Sequence, residues 1–289
     1  MTVPASSPPT GLTSGLLPFS LVDGPGARFV AFLQGCGFDC PACHNPYTIG
    51  VCDDCGACLD ACDAGALSVA NGHVTWNPDA CLGCDACVRA CPIDATPKTR
   101  RWTPAALVEQ VRASAPFLSG VTVSGGEATR QADFVAAFFG ALADDPELGR
   151  LTRFVDSNGD ADPATWRSLA PVMDAAMIDL KAFDDEVHLA LTGRPVARVR
   201  ASIAWLAERA LLHEVRMLLI PGRNDDDRQL DRAAAWLART APGVPVKVIG
   251  FRRHGVREVA RAWPEPSRER LEAAAARLRA GGVRETSIV

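Results

Sequence analysis

The chain has 289 residues, of which 48% are hydrophobic and 22% charged, and its formal net charge is −4. This composition is typical of a globular protein with one sizeable domain, and it excludes a disordered, collagenous or coiled-coil chain. The small net charge gives no reason to expect a nucleic-acid partner, and the longest nearly apolar stretch, Phe134 to Ala143, is much shorter than the roughly 20 residues of a membrane span.

The N-terminal segment MTVPASSPPTG contains neither a basic residue nor an apolar core, so we predict no secretory signal. Residues 1–19 are rich in Pro, Ser and Gly, and this composition predicts a flexible, partly ordered lead-in. The stretch from Arg28 to Gln34 predicts a short apolar strand that ends at Gly35.

All eleven cysteines lie between Cys36 and Cys91. Disulfides that stabilise a secreted protein would have no reason to avoid two thirds of the chain, and an odd number of thiols cannot pair completely. We therefore predict a cytoplasmic protein whose thiolates bind metal.

Two cysteine runs have the C-x2-C-x2-C-x3-C spacing of bacterial ferredoxins with two [4Fe–4S] clusters, in which the fourth cysteine of each run ligates the other cluster. The predicted ligand sets are Cys52, Cys55, Cys58 and Cys91 for one cluster and Cys62, Cys81, Cys84 and Cys87 for the other. Two zinc sites are the alternative, but three closely spaced thiols and one remote thiol do not suit tetrahedral zinc. Residues 49–96, which are poor in large apolar side chains, are thus predicted to be a ferredoxin-like insert held together by its clusters.

The three remaining cysteines, Cys36, Cys40 and Cys43, form a C-x3-C-x2-C triad. A cubane that is held by three thiolates has one iron without a protein sulfur, and that iron can bind an outside molecule, as a catalytic zinc does at its open position. The alternative is that His44 or an acidic side chain closes this position.

The triad is the signature of the radical SAM superfamily. The string DGPGAR at residues 23–28, followed by FLQGC at 32–36 and CHNP at 43–46, resembles the glycyl-radical-enzyme activating proteins, many of which carry an eight-cysteine ferredoxin insert after the triad. The resemblance implies that reductive cleavage of S-adenosylmethionine gives a 5′-deoxyadenosyl radical, which removes a hydrogen from a glycine Cα of a partner enzyme.

Apolar and amphipathic segments alternate after the insert. Further strands are predicted at Gly120–Val123, Leu151–Val155, Ala175–Leu180, Glu214–Ile220 and Val246–Ile249, and helices near residues 103–115, 131–143, 162–171, 197–211, 227–240 and 266–280. This alternation predicts an α/β fold with a parallel sheet. Six strands are too few for a full barrel; residues 20–48 and 97–289 are therefore predicted to form an open, partial (β/α)6 TIM-like barrel, the fold that the resemblance also implies.

Polar motifs follow the predicted strands, where the chemistry of such folds is placed. In Ser124-Gly125-Gly126-Glu127, the glycines would allow close backbone approach to a ligand, although a glycine pair after a strand is often only a turn. The resemblance implies that this loop binds the methionine amino group of S-adenosylmethionine and that Glu127 meets the ammonium.

Asp156 and Asp179 end neighbouring predicted strands, where two carboxylates would repel each other unless a cation lay between them. The resemblance to the pyruvate formate-lyase activase branch implies a monovalent cation held by Asp156, Ser157, Met177 and Asp179. The alternative is that both aspartates are merely exposed.

Only three lysines occur, against 27 arginines, so a lysine that is retained at a strand end favours a role for a compact ammonium. The resemblance implies that Lys181 contacts the carboxylate of the cofactor and that Arg216 reaches the cofactor region. His254 is a candidate for contact with the adenine or the partner, and a surface residue is its alternative.

The cofactors expected are three [4Fe–4S] clusters, S-adenosylmethionine and a monovalent cation. The expected partners are a glycyl radical enzyme and a low-potential electron donor such as flavodoxin or ferredoxin, without nucleic acid or membrane, and function is expected to be anaerobic. No side chain needs to act as an acid or base. Two alternatives remain open: a radical SAM enzyme that acts on a small molecule or another peptide, and a non-enzymatic electron carrier.

Overall fold

A nine-stranded sheet organises residues 8–289, the part of the chain that the computed structural model describes. The strands are β1 Gly11–Ser20, β2 Arg28–Leu33, β3 Leu67–Ala70, β4 His73–Trp76, β5 Arg100–Trp102, β6 Gly120–Gly125, β7 Thr152–Ser157, β8 Ala175–Asp179, β9 Leu212–Leu219, β10 Val246–Gly250 and β11 Thr286–Ile288. Their order across the sheet is β11-β10-β9-β8-β7-β6-β2-β1-β5, while β3 and β4 form a separate hairpin.

The six strands predicted from the sequence, β2 and β6 to β10, are confirmed and run parallel to one another. A seventh, β11, extends the parallel part beside β10. Within residues 8–289 the order begins at β11 and ends at β5, so these two strands are the edges of the sheet. The carboxyl ends of the parallel strands therefore meet along one side, which is where the polar motifs follow.

The prediction that residues 1–19 form a flexible lead-in is wrong from Gly11 onward. Residues 1–7 lie outside the described part of the chain. Gly11–Ser20 forms β1, which pairs antiparallel with β2, for example Leu17 with Val30. Gln131 also holds Leu12, because its Oε1 accepts from the Leu12 amide at 2.8 Å. Pairing with a buried neighbour overrides the Pro, Ser and Gly content of this segment.

Most α-helices of the described residues pack against the parallel sheet, and the first one lies in the cysteine-rich segment. The helices are α1 Ala86–Arg89, α2 Pro104–Arg112, α3 Ala132–Ala143, α4 Pro163–Leu169, α5 Asp185–Thr192, α6 Ala197–Glu208, α7 Asp227–Thr240, α8 Glu258–Arg261 and α9 Arg268–Ala280. Side chains of Thr103, Asp162, Asp226 and Ser267 cap the first turns of α2, α4, α7 and α9, which explains why the predicted helices begin close to their observed starts. No helix was predicted at α5, because two of its three buried residues, His188 and Thr192, are polar and the segment therefore lacks a clear apolar period.

The cysteine-rich segment has a small apolar cluster of its own, in which Cys58, Leu67 and Cys87 are buried beside the β3–β4 hairpin. The main core lies between the parallel sheet and the helices. In the described part of the chain, no helix is both long enough and apolar enough to cross a bilayer.

Candidate functional site

The triad cysteines lie on a loop that leaves the carboxyl end of β2, and all three are free thiols that line one cavity. The loop folds back on itself, because the Gly35 amide donates to the Thr48 carbonyl at 2.8 Å and the Cys36 amide to the Ile49 carbonyl at 3.0 Å. Gln34 also joins the two ends of the loop, because its Nε2 donates to the Tyr47 carbonyl at 2.8 Å. The protein thus holds three sulfurs at one wall of a preformed cavity.

Burial governs the chemistry of these thiols. It raises the pKa of Cys36 to about 11 and that of Cys40 to about 12, and it also raises the pKa of Cys43. Thiols in such a place remain protonated unless a strong positive charge replaces the proton, and a bound iron cluster supplies that charge. Cys36 also accepts from the Phe38 amide at 3.4 Å. The donor set and its surroundings therefore fit an iron–sulfur cluster ligated by three cysteines.

The SGGE loop, residues 124–127, is joined to the triad loop through the backbone. The Gly126 amide donates to the Leu33 carbonyl at 2.8 Å, and the Glu127 amide donates to the Gly35 carbonyl at 2.9 Å. A Cβ on Gly125 would lie 2.2 Å from the Leu33 nitrogen, and one on Gly126 would lie 2.6 Å from the Gly35 carbonyl oxygen. Both glycines line the cavity, but the close approach that they permit is to the chain itself.

Glu127 also lines the cavity, and its carboxylate is held by the protein. The residue is only 3% exposed. Its Oε1 accepts from the Thr129 amide and hydroxyl and the Ser157 hydroxyl, and its Oε2 accepts from the Asn158 amide, at 2.6–3.0 Å. Burial raises the pKa of this carboxyl, against these hydrogen bonds. Glu127 thus ties the SGGE loop to the loop that follows β7, and its contact with an ammonium group stays a prediction.

Asn158 is the site residue that the sequence analysis missed. Its Nδ2 donates to the Sγ of Cys36 at 3.5 Å, and its side chain lines the cavity. The signal for it was present, because Asn158 directly follows the predicted Asp156-Ser157 pair.

Asp156 and Asp179 line the cavity, and each has a cationic partner. Arg216 donates through Nη1 to Asp156 Oδ1 at 2.9 Å, and Lys181 donates through Nζ to Asp179 Oδ2 at 2.9 Å. Burial raises the pKa of Asp156 above its usual range and nearby Asp179 adds to this, although Arg216 opposes it. Two cationic side chains of the protein thus face these carboxylates, and a monovalent cation between Asp156 and Asp179 stays a prediction.

The other two members of the predicted cation site are Ser157 and Met177, the latter through its backbone carbonyl. The Ser157 hydroxyl donates to Glu127 at 2.7 Å. Met177 is fully buried, and its sulfur lies 3.0 Å from Arg216 Nη2. In residues 8–289, no group of three or more His, Cys, Asp or Glu side chains is arranged to hold a single metal ion.

Lys181 and Arg216 are the cations of the cavity region. Burial alone would lower the pKa of Lys181, but Asp179 and the thiols of Cys40 and Cys43 raise it above its ordinary value. Arg216 is held by Glu214 as well as by Asp156, through an Nε–Oε1 contact of 2.6 Å. Both side chains remain charged, and Lys181 lines the cavity directly.

His254 does not line this cavity. It is exposed and borders a separate cleft together with His44, Tyr47 and residues of α1 and α8. His44 is exposed, and its Nε2 lies 3.0 Å from the Arg252 carbonyl oxygen. This bond leaves His44 at the rim of the triad loop.

The other eight cysteines are free thiols in the insert. The neighbouring thiol of Cys91 contributes to the raised pKa of Cys52, after burial and the nearby Asp54 and Asp53, and Cys62 packs in the cluster that contains Cys87. Thiols of the first run thus lie near thiols of the second, Cys58 beside Cys87 included, and the division of the eight thiols between two clusters stays a prediction.

Comparison with known proteins places this geometry in a family. Residues 30–234 match the model of the radical SAM superfamily. The chain is 31% identical to the isethionate sulfite-lyase activating enzyme of Nitratidesulfovibrio vulgaris, over 86% of each chain. It is also 31% identical to the (2S)-3-sulfopropanediol sulfolyase activating enzyme of Bilophila wadsworthia, over 85% of this chain and 86% of that one. The pyruvate formate-lyase 1-activating enzyme of Escherichia coli is 29% identical over 73% and 68%.

Solved structures agree on the fold. A radical SAM methyltransferase from Sphaerobacter thermophilus matches with a TM-score of 0.58 and 17% identity, over 91% of this chain and 66% of that one. QueE from Escherichia coli matches with a TM-score of 0.55 and 11% identity, over 97% and 94%. Three thiols line the cavity on the loop after β2, and the chain is similar to activating enzymes over most of its length. The chain therefore belongs to the radical SAM superfamily and, within it, to the glycyl-radical-enzyme activating enzymes.

Proposed function

We propose that this chain activates a glycyl radical enzyme by using S-adenosylmethionine to remove a hydrogen atom from a glycine Cα of that enzyme. The observation that carries the proposal is the shared cavity: the three thiols of the triad, the SGGE loop, Asp156 and Lys181 converge there from the carboxyl ends of four parallel strands. The similarity to activating enzymes over most of the chain supports this choice over a radical SAM enzyme that acts on a small molecule.

Cys36, Cys40 and Cys43 would hold the cluster, and the ligand set leaves one iron without a protein sulfur. When bound, the cluster and S-adenosylmethionine supply the electron and the 5′-deoxyadenosyl radical. The protein contributes a buried cavity and fixed charges. Lys181 places an ammonium at the cavity wall where it can pair with the methionine carboxylate, and Arg216 can reach the same region only if it leaves Asp156.

The SGGE loop contributes acceptors at the cavity wall. The groups available for the methionine ammonium are Glu127 Oε2, which accepts one hydrogen bond from the protein, backbone carbonyls of this loop, and the carboxylates of Asp156 and Asp179. The mechanism needs no general acid or base, since hydrogen-atom transfer moves a proton and an electron together.

We further propose that residues 49–96 form a ferredoxin-like insert with two [4Fe–4S] clusters, which accept electrons from a low-potential flavodoxin or ferredoxin and pass them to the triad cluster. The open edges of the sheet at β5 and β11 support a partial barrel, into which a glycine-bearing loop of the partner can enter from the side. A cytoplasmic, anaerobic setting suits these exposed thiols, of which Cys55 and Cys84 are the most accessible.

The test is to reduce the holoprotein anaerobically with S-adenosylmethionine and to add candidate glycyl radical enzymes, beginning with an isethionate sulfite-lyase. We expect a glycyl radical in the electron paramagnetic resonance spectrum and about one 5′-deoxyadenosine per radical formed. A partner whose radical glycine is replaced by alanine is the control. Cleavage of S-adenosylmethionine without a glycyl signal from any such enzyme would favour a small-molecule substrate, and no cleavage would favour an electron carrier.

A further inference from the structure

Cys36 is the triad cysteine that receives a side-chain hydrogen bond. Asn158 Nδ2 lies 3.5 Å from Cys36 Sγ, and in residues 8–289 no other side chain donates to a sulfur of the triad. The second donor to Cys36 is the Phe38 amide at 3.4 Å. One ligand of the predicted cluster therefore differs from the other two in its polar surroundings.

The orientation of the Asn158 amide is fixed by its other partner. Its Oδ1 accepts from the Asp160 amide at 2.9 Å, and a backbone N–H can only face an acceptor. The NH₂ group must therefore face the sulfur. The side chain is 7% exposed, so water does not compete strongly for either end.

Glu127 holds the backbone of Asn158 in place. Its Oε2 accepts from the Asn158 amide at 2.8 Å, while its Oε1 accepts from Ser157 at 2.7 Å. Ser157 in turn accepts from the Gly159 amide at 2.9 Å. The carboxylate thus fixes two successive residues of the loop after β7, and the SGGE motif reaches the triad sulfur through Asn158.

We propose that Asn158 is a positioning residue that raises the reduction potential of the triad cluster through its hydrogen bond to Cys36, and that Glu127 acts through it. The inference rests on the proposed function only in assuming a [4Fe–4S] cluster on the triad. Reduction adds negative charge to the cluster and its sulfurs, and a hydrogen-bond donor stabilises that charge. Loss of the donor must therefore make the cluster harder to reduce.

The experiment is a redox titration of the anaerobic holoprotein, monitored by electron paramagnetic resonance, with the triad cluster recognised by the change in its signal when S-adenosylmethionine is added. For Asn158→Ala we expect the ratio of reduced to oxidised triad cluster at a fixed potential to fall threefold to tenfold, which is about 28–59 mV for one electron. Asn158→Asp keeps the acceptor for the Asp160 amide but brings a negative charge, so its potential should fall further. The two insert clusters serve as internal references and should not move.

Asn45→Ala is the matched control, because Asn45 lies beside the triad while its side-chain oxygen accepts only from the exposed Tyr47 hydroxyl. An unchanged potential in both Asn158 variants would overturn the proposal. A weaker affinity for S-adenosylmethionine at an unchanged potential would likewise overturn it and make Asn158 a cofactor contact. If Asn158→Ala fails to load its third cluster, the isosteric Asn158→Asp variant decides. The potential can be measured whether or not a glycyl radical forms, so failure here is separate from failure of the proposed function.

Discussion

Arg28, the last residue of DGPGAR, is fully buried although arginine is rarely buried without partners. Its Nε donates to the Thr122 hydroxyl at 2.6 Å and its Nη2 to the Val121 carbonyl at 2.7 Å, while the Phe154 ring centroid lies 4.3 Å away. Burial lowers its pKa to about 10, although Asp174 and Asp23 oppose this. Arg28 thus joins β2 to β6 and β7 at the amino ends of these strands, opposite the cavity, and contributes to the site only through the fold.

The side chain of His188 packs against Phe38 of the triad loop. The imidazole is fully buried, its Nδ1 lies 2.7 Å from the Arg194 carbonyl oxygen, and its ring meets the edge of Phe38 at a centroid distance of 5.4 Å. The carbonyl accepts, so Nδ1 carries the proton. Burial lowers the pKa of His188 below its usual value, although the Arg194 hydrogen bond opposes this.

This burial predicts an acid-sensitive contribution to stability. Below pH 6.5 the imidazole of His188 binds a proton in the unfolded state more readily than in the native state. Its contribution to the free energy of unfolding is therefore complete above pH 6.5 and falls as the pH is lowered, by up to about 1 kcal/mol at pH 6. His188→Asn keeps a donor for the Arg194 carbonyl and cannot titrate. Melting temperatures of the holoprotein at pH 8 and pH 6 should therefore fall less in His188→Asn than in the wild type. The exposed His254→Asn variant should behave as the wild type does; equal losses in all three proteins would contradict this role.

The location of the cavity could be predicted from the sequence, but the partners of its side chains could not. The triad spacing and the strand-end positions of Glu127, Asp156 and Lys181 located the cavity, because parallel strands bring their carboxyl ends together. The partners could not be predicted, because they come from distant segments: Arg216 reaches Asp156 across 60 positions, and Asn158 reaches Cys36 across 122.

At the level of elements, the loops after β2 and β6 form one unit with the triad. Gly126 lies where the two loops cross, and a Cβ there would lie 2.6 Å from the carbonyl oxygens of both Gly35 and Thr48. These are backbone atoms, which cannot move aside as a flexible side chain can. The crossing is therefore specified by the absence of a side chain.

Gly126→Ala should separate the two loops and prevent loading of the triad cluster, with a loss of about four of twelve irons per chain. Gly140→Ala is the control, since a Cβ at Gly140 on α3 meets nothing within 4 Å; it should load fully and be stabilised by about 1 kcal/mol. Iron analysis and thermal melting of both anaerobic proteins measure this. Full iron content in Gly126→Ala would show that the loops can separate without loss of the site.

The regular elements were predictable to different degrees for identifiable reasons. Strands that are buried on both faces, such as Val121–Val123 in β6, appear as apolar runs. The edge strands β5 and β11 carry Arg or Ser and pair with a single neighbour each, and β1, which carries Pro18, is a strand only through its pairing with β2 and β5. These segments cannot be predicted as strands from their own residues, because the pairing that makes them strands depends on a neighbour elsewhere in the chain.

In the whole molecule, the site lies at the carboxyl ends of the inner strands of one sheet, and the cysteine-rich segment attaches on the same side through Gly50 and the triad loop. Gln34 holds both, since its Nε2 also donates to the Gly50 carbonyl at 2.5 Å. A side-chain contact from Arg257 to Asp94, at 3.3 Å, links the insert to the loop that follows β10. These contacts hold the cysteine-rich segment against the wall that carries the triad.

We propose above that three thiols hold a cluster whose remaining iron binds S-adenosylmethionine. Iron content and 5′-deoxyadenosine formation of the anaerobic protein test this directly, beside a variant in which Cys36, Cys40 and Cys43 are all replaced by alanine. We expect about twelve irons per chain in the unmodified protein and about eight in the variant, with 5′-deoxyadenosine formed only by the unmodified protein. Eight irons in the unmodified protein, or cleavage of S-adenosylmethionine by the variant, would contradict it.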